Sequence, residues 1–123
     1  MQKTLISIVG VALLTFGCGA SFPAPTQKLA DAESAQRSAR ELGADKKTAA
    51  QLNMKLADEE IESAKAQMKA GENKRADHTL LRAKADAELA LALAREIDAK
   101  AETTKTVETS TNKQNAKANG AAQ

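Results

Sequence analysis

The feature that most constrains the fold is a pair of apolar stripes whose spacing alternates between three and four residues. The first stripe runs from Ala50 to Met68 and the second from Ala76 to Ala94. This spacing keeps every member on one face of an α-helix, so the sequence predicts two amphipathic helices. The members are Ala50, Met54, Ala57, Ile61, Ala64, Met68, Ala76, Leu80, Ala83, Ala87, Ala90 and Ala94.

The two stripes mirror each other about Glu72. Folding the chain back there pairs Ile61 with Ala83 and Met54 with Ala90, and no pair holds two large side chains. Large side chains set over alanine allow two helix axes to approach closely. The sequence therefore predicts an antiparallel helical hairpin.

Glycines and polar residues divide the chain into three predicted helices, at residues 26–42, 45–70 and about 73–101. Gly43 and Gly71 follow the first two helices, where a left-handed residue commonly ends a helix. A polar side chain at each start is typical of an N-cap. The candidate caps are Thr26, Asp45 and Asn73.

The first helix has a shorter apolar stripe, which we expect to pack on a second face of the middle helix. Folding back at Ala44 pairs Ala32 with Leu56. The third helix is apolar nearly all round over residues 89–94, where it would meet both others. We expect three helices to pack at one end while a two-helix arm protrudes to Gly71. The stripe of the first helix consists of Leu29, Ala32, Ala35, Ala39 and Leu42. The second face of the middle helix consists of Ala49, Leu52 and Leu56.

The remainder of the chain, residues 102–123, is rich in Thr, Asn and Gln and has one large apolar residue, Val107. Such a segment buries too little surface to offset the entropy of ordering, so we predict a disordered polar tail. The predicted fold class is all-α: an antiparallel hairpin with a shorter N-terminal helix packed at one end, a three-helix bundle over residues 26–101.

The first residues have the pattern of an export signal. Lys3 precedes an uncharged, mostly apolar run at residues 5–16. A membrane-spanning helix needs about 20 apolar residues, so this run is too short to span and fits the core of a signal peptide. We predict a lipoprotein signal peptide at residues 1–17, and a lipidated cysteine with its tether at 18–25.

Cys18 is the single cysteine of the chain. Gly17-Cys18 resembles the cleavage motif of bacterial lipoproteins, in which the cysteine thiol receives a diacylglycerol, although Phe16 departs from that motif. Acylation would anchor the protein stably in a membrane. The residue after the cysteine, Gly19, resembles the signal for sorting to the periplasmic face of the outer membrane. The alternative is cleavage after Ala20, which would give a soluble periplasmic or secreted protein.

The segment GENKRADHTLLRAKADAELALALARE, residues 71–96, follows this leader and an alanine-rich helix. It resembles the bacterial domain of unknown function 4398 family, whose members are small helical envelope lipoproteins. Some members are joined to peptidoglycan-binding domains like that of outer membrane protein A. The resemblance implies a helical fold and a place in the cell envelope, with peptidoglycan in reach, and it transfers no catalytic residue.

Composition and spacing disfavour catalysis and nucleic-acid binding. The formal charge is +2 and the chain has no Trp or Tyr, so it lacks both a strongly basic surface and a stacking platform. His78 has Arg82 rather than a second ligand four residues on, and we expect no metal and no cofactor. Carboxylates at consecutive positions point in different directions around a helix, so we expect a group of them in the middle helix to lie on a solvated face rather than to form a catalytic or cation-binding site. These carboxylates belong to Asp58, Glu59, Glu60 and Glu62.

The expected function is that of a non-catalytic envelope lipoprotein, a membrane-anchored helical scaffold or interaction module. Leu81 lies away from the hairpin stripe, and its face also carries Ala85 and Ala92. We expect this face to bind a second helix, from another envelope protein or from a second copy. Two alternatives are a periplasmic carrier or chaperone of an apolar ligand and a small membrane-active protein, although the latter usually has a cationic face.

Overall fold

The computed structural model describes residues 21–120, and the segments predicted as signal peptide and lipidation site lie outside them, including Cys18 and Ala20. The fold is all-α, as predicted, and the described residues contain no strand. Three helices make up the bundle, with one turn of 3₁₀ helix, Ala44–Lys46, between the first two. The helices are α1 (Thr26–Glu41), α2 (Thr48–Lys69) and α3 (Asn73–Gly120).

The helices α2 and α3 form an antiparallel hairpin around the two apolar stripes. Eleven of the twelve stripe residues are buried, and Met68 is partly buried beside them. Ile61 and Ala83 share one buried cluster, as the mirror about Glu72 predicts. Gly71 has a φ of 77°, a left-handed conformation that lets α2 end and the chain reverse.

Helix α1 packs along the whole length of the hairpin, so the expectation of a protruding two-helix arm is wrong. Ala32 and Ala39 are fully buried against α2 and α3. Near the Gly71 turn, the Nζ of Lys28 lies 2.6 Å from an Oδ1 of Asp77 in α3. Helix α1 therefore runs parallel to α3 and reaches the end of the hairpin.

The connection between α1 and α2 accounts for this difference. Gly43 has a φ of 69°, and the 3₁₀ turn after it uses residues that the sequence pattern assigned to α2. This longer connection shifts α1 along α2 toward the Gly71 turn. Ala32 consequently packs near Ile61 rather than near Leu56.

Lys47 fixes the opposite end of the bundle. Its Nζ donates hydrogen bonds to the carbonyl oxygen of Leu42 at 2.7 Å and to that of Ala94 at 3.3 Å. It also forms an ion pair of 2.7 Å with Asp98. One ammonium group thereby joins the end of α1, the start of α2 and the middle of α3.

The predicted disordered tail is wrong over residues 102–120, because α3 continues through them as one helix of 48 residues. No Gly or Pro occurs between Gly71 and Gly120. Extending a packed helix avoids the cost of nucleating a new one, so burial is not required. Hydroxyl groups add bonds to carbonyl oxygens one turn back, as from Thr103 to Ala99 at 2.9 Å. Every side chain from residue 98 to 119 is exposed.

The predicted N-caps are also displaced. Pro25 holds the N-cap position of α1 and Lys47 that of α2, and neither helix has a side-chain cap. Asp45 lies within the 3₁₀ turn instead. Asn73 is the first residue of α3, and its side chain bonds to the tether, as described below.

Candidate interaction surfaces

The largest exposed apolar side chains on the bundle are four leucines on α2 and α3. The exposed fractions are 65% for Leu52, 37% for Leu56, and 48% for both Leu81 and Leu89. Single exposed leucines are ordinary, whereas neighbouring ones mark a candidate binding surface. The question is therefore whether these four lie together.

An ion pair between α2 and α3 shows where three of these leucines, Leu52, Leu56 and Leu89, lie relative to one another. The Nε of Arg82 lies 3.1 Å from an Oε1 of Glu60, so these residues mark one flank of the hairpin. Leu56 precedes Glu60 by one turn, and Leu89 follows Arg82 by two turns, which places both on that flank. Leu52 lies one further turn along α2. Because the helices are antiparallel, all three extend in the same direction from the ion pair.

The predicted binding residues Leu81, Ala85 and Ala92 are exposed on α3. Leu89 is four residues from Ala85 and three from Ala92, so it is their neighbour on the surface of α3. These six exposed residues lie on the outward faces of α2 and α3, and we call them together the leucine strip. Its members are Leu52, Leu56, Leu81, Ala85, Leu89 and Ala92.

Half of this strip was assigned to other contacts by sequence reasoning. Leu52 and Leu56 were expected to contact α1, and Leu89 to pack between helices, and both expectations are wrong. The interval of four residues between Leu52 and Leu56 was the available signal. It identifies a common face but does not say whether another helix covers it.

The ion pair beside the strip is partly buried. Burial raises the pKa of Glu60 above its ordinary value of 4.5, and the charge of Asp86 and a hydrogen bond to it raise the pKa further. The positive charge of Arg82 acts in the opposite direction. The Oε2 atom of Glu60 is buried without a hydrogen-bond partner. Glu60 is therefore a half-buried carboxyl group that lies between the cation of Arg82 and a second carboxylate, that of Asp86.

The surface on the α1 side is polar. Lys65 forms ion pairs with Glu33 at 3.0 Å and Glu62 at 2.9 Å, which raise the pKa of the lysine above 10.5. Arg40 forms a second ion pair between α1 and α2, with Asp58. These contacts attach α1 to the flank of the hairpin opposite the one that carries Glu60 and Arg82.

An open groove of about 350 Å³ runs between α1 and α3. Its walls combine polar side chains such as Ser34, Ser38 and Lys84 with the apolar side chains of Ala35 and Leu91. The core beneath is filled by alanines with zero exposure. The groove is thus open and mixed in character, with no deep apolar cavity beneath it among the described residues.

The other candidate groups are separated in space. The cluster of carboxylates divides, since Asp58 bonds to Arg40 of α1 while Glu60 bonds to Arg82 of α3. His78 is exposed. Within residues 21–120, no three His, Cys, Asp or Glu side chains come together as metal ligands.

None of the helices in the described part of the chain combines the length and hydropathy that crossing a membrane requires. The profile of a family described as Domain of unknown function (DUF4398) matches residues 27–106, more than half of the chain. The match covers α1, α2 and the packed part of α3. No curated protein and no solved structure gives a significant match.

Proposed function

The chain belongs to the DUF4398 family, and from this premise we propose that it is a lipid-anchored envelope protein without catalytic activity. Its role is that of a bacterial helical scaffold that binds a partner. The observation that carries this proposal is the leucine strip. It exposes four leucines on a bundle whose core consists largely of alanine.

The proposed anchor is a diacylglycerol on Cys18, at the periplasmic face of the outer membrane. The apolar run at residues 5–16 and the position of the cysteine after Gly17, two residues beyond the run, support this part. Palmitate labelling should require Cys18, and Cys18→Ser should leave an unprocessed or soluble product. A mature protein that begins at Ser21 and has no lipid would contradict the anchor.

The proposed partner is a helix, supplied by another envelope protein or by a second copy of this chain. A strip of leucines and alanines spaced three or four residues apart suits an apolar helix face, since small residues let the backbones approach. Each leucine buried in such an interface contributes about 1.5–3 kcal/mol before the costs of association.

Photocrosslinking in cells tests this proposal. A photoreactive amino acid at position 81 or 89 should give one reproducible adduct, with an envelope protein or with the chain itself. The matched control is position 37 on α1, which is exposed on the polar side of the bundle. Equal capture at position 37, or no adduct at 81 and 89, would contradict the proposal.

A further inference from the structure

The tether that precedes α1 leaves the bundle at the Gly71 turn. Nδ2 of Asn73 donates a hydrogen bond of 2.8 Å to the carbonyl oxygen of Phe22, and Pro25 is buried. Residues 1–20, which include the apolar run and Cys18, therefore join the described chain at this end. We call this end the hairpin tip and define it as residues 69–75 together with Phe22.

The hairpin tip has an excess of positive charge. Lys69, Lys74 and Arg75 are exposed there, against one carboxylate, that of Glu72. Glu72 pairs with Arg75 at 3.2 Å, whereas the two lysines form no ion pair with any described residue. The near-neutral charge of the whole chain conceals this local excess, because acidic residues elsewhere offset it.

Two helix N-termini and one C-terminus, that of α2, meet at the tip, so the helix ends add a net positive potential. Helices α1 and α3 both begin at the tip, and neither has an acidic residue in its first turn. Lys74 and Arg75 instead occupy the first turn of α3, where the helix dipole disfavours cations. An anionic surface facing the tip would offset both the excess of cations and their unfavourable position at the start of α3.

Phe22 adds an apolar contact at the same place. Its side chain is 43% exposed, while its backbone is held by Asn73. Phenylalanine beside lysine and arginine is the combination by which peripheral segments bind the interface of a bilayer. The tip thus presents an aromatic ring and three cations beside the point where residues 1–20 join the bundle.

We propose that the hairpin tip seats on an anionic lipid bilayer and holds the bundle upright on the membrane. This inference rests on the proposed membrane anchor, because it takes the segment before Ser21 to lead into the bilayer. Lys69, Lys74 and Arg75 contact lipid phosphates, and Phe22 enters the headgroup region.

The seating orients the rest of the molecule. Helix α3 starts at the tip and is about 72 Å long at 1.5 Å per residue, so residue 120 lies far from the membrane. The leucine strip then faces sideways, where a neighbouring envelope protein can reach it. The exposed half of α3 projects beyond the bundle in the direction away from the bilayer.

Fluorescence quenching on vesicles tests the proposal. The full chain, isolated from bacterial membranes, is reconstituted into vesicles of phosphatidylcholine with or without phosphatidylglycerol. A fluorescent amino acid is incorporated at position 70 at the tip or at position 117 near the far end of α3, and a quencher is placed on the lipid headgroups. On phosphatidylglycerol vesicles, the fluorophore at position 70 should be strongly quenched and that at position 117 should not.

The charge dependence identifies the contact. Combining Lys69→Gln, Lys74→Gln and Arg75→Gln should lower the seating equilibrium about a hundredfold, at about fivefold per charge, and abolish quenching at position 70. The matched control removes three lysines of the α3 extension, by Lys105→Gln, Lys113→Gln and Lys117→Gln, and should leave quenching at position 70 unchanged. Added salt should weaken quenching at position 70 in the wild type, and it should have no effect in the variant that lacks the three tip charges.

Equal quenching at positions 70 and 117, or quenching indifferent to the tip charges, would overturn the proposal. The mass of the peptide containing Cys18 measures the anchor separately. If Cys18 is acylated but quenching at position 70 does not depend on the tip charges, the seating is refuted and the anchor is supported. Charge-dependent quenching without acylation supports the seating and refutes the proposed anchor.

Discussion

The side-chain amide of Asn73 donates a hydrogen bond of 2.8 Å to the backbone carbonyl oxygen of Phe22. This contact joins the tether to the first residue of α3, although 51 positions separate the two in sequence. The bundle therefore has two distinct ends. Residues 1–20 join it at one end, and the long extension of α3 leaves it at the other.

Replacing Asn73 with alanine should free the tether. Loss of this hydrogen bond is expected to lower the free energy of unfolding by about 1 kcal/mol. A spin label at Ser21, in a Cys18→Ser background, should then give a sharper continuous-wave electron spin resonance spectrum, because the tether moves more freely. Gln27→Ala, which removes an exposed bond within α1, is the control. An unchanged spectrum of the label at Ser21 would mean that Asn73 does not hold the tether.

The position of α1 predicts a coupling between Lys28 and Asp77. Their ion pair of 2.6 Å joins α1 to α3, and the side chain of Asp77 is 14% exposed. A double-mutant cycle with Lys28→Ala and Asp77→Ala should give a coupling free energy of about 0.5–1 kcal/mol from chemical denaturation. Leu56→Ala with Lys28→Ala is the uncoupled control. Additive effects of Lys28→Ala and Asp77→Ala would mean that this ion pair does not hold α1 against α3.

The sequence predicted the hairpin because an unbroken spacing of three and four residues leaves one buried face per helix. The position of α1 was not predictable in the same way, since Gly43 marks a turn but not the 3₁₀ residues after it. Leu52 and Leu56 have the spacing of a buried face and are exposed. Periodicity indicates which residues share a face, whereas burial depends on how far the connection shifts the next helix.

The α3 extension was missed for a different reason. Low apolar content predicts disorder for an independent segment, but residues 102–120 continue a helix that the bundle has already nucleated. The hairpin tip was missed because net charge averages over the whole chain. Its excess of cations becomes visible once the fold brings Phe22 next to Asn73.

Glu60 should make the protein less stable as the pH rises. Its pKa is raised in the folded state, so between 4.5 and that raised value the folded state binds more protons than the unfolded state. The free energy of unfolding then falls with increasing pH in that window, by about 1.4 kcal/mol for each unit of pKa shift. Glu60→Gln removes this dependence and should gain stability over wild type above pH 4.5.

The measurement is urea denaturation of both proteins across that pH range. Glu59→Gln is the matched control, because Glu59 is exposed and pairs with Lys55 only at 3.7 Å. Parallel pH profiles for wild type and Glu60→Gln would show that burial does not perturb this carboxyl group.

Thr106→Pro should melt the end of α3 without unfolding the bundle. Proline removes a helical hydrogen bond and clashes with the preceding turn, and residues 107–120 are too short to form a stable helix alone. Far-ultraviolet circular dichroism should lose the helical signal of about that segment, while the thermal midpoint of the bundle stays the same. Thr106→Ala should keep the full signal. A wild-type signal in Thr106→Pro would contradict a continuous helix.

The placement of the tether and the α3 extension at opposite ends is tested most directly by the distance between Ser21 in the tether and Thr106 in the extension. Spin labels at Ser21 and Thr106, in a Cys18→Ser background, are measured by double electron–electron resonance. Because Ser21 lies near the start of α3, a continuous helix to Thr106 predicts one narrow distribution at about 50 Å. Labels at Ser21 and Lys74 should be close together in the same background. A broad distribution at clearly shorter distances for the first pair would contradict a bundle whose tether and α3 extension lie at opposite ends.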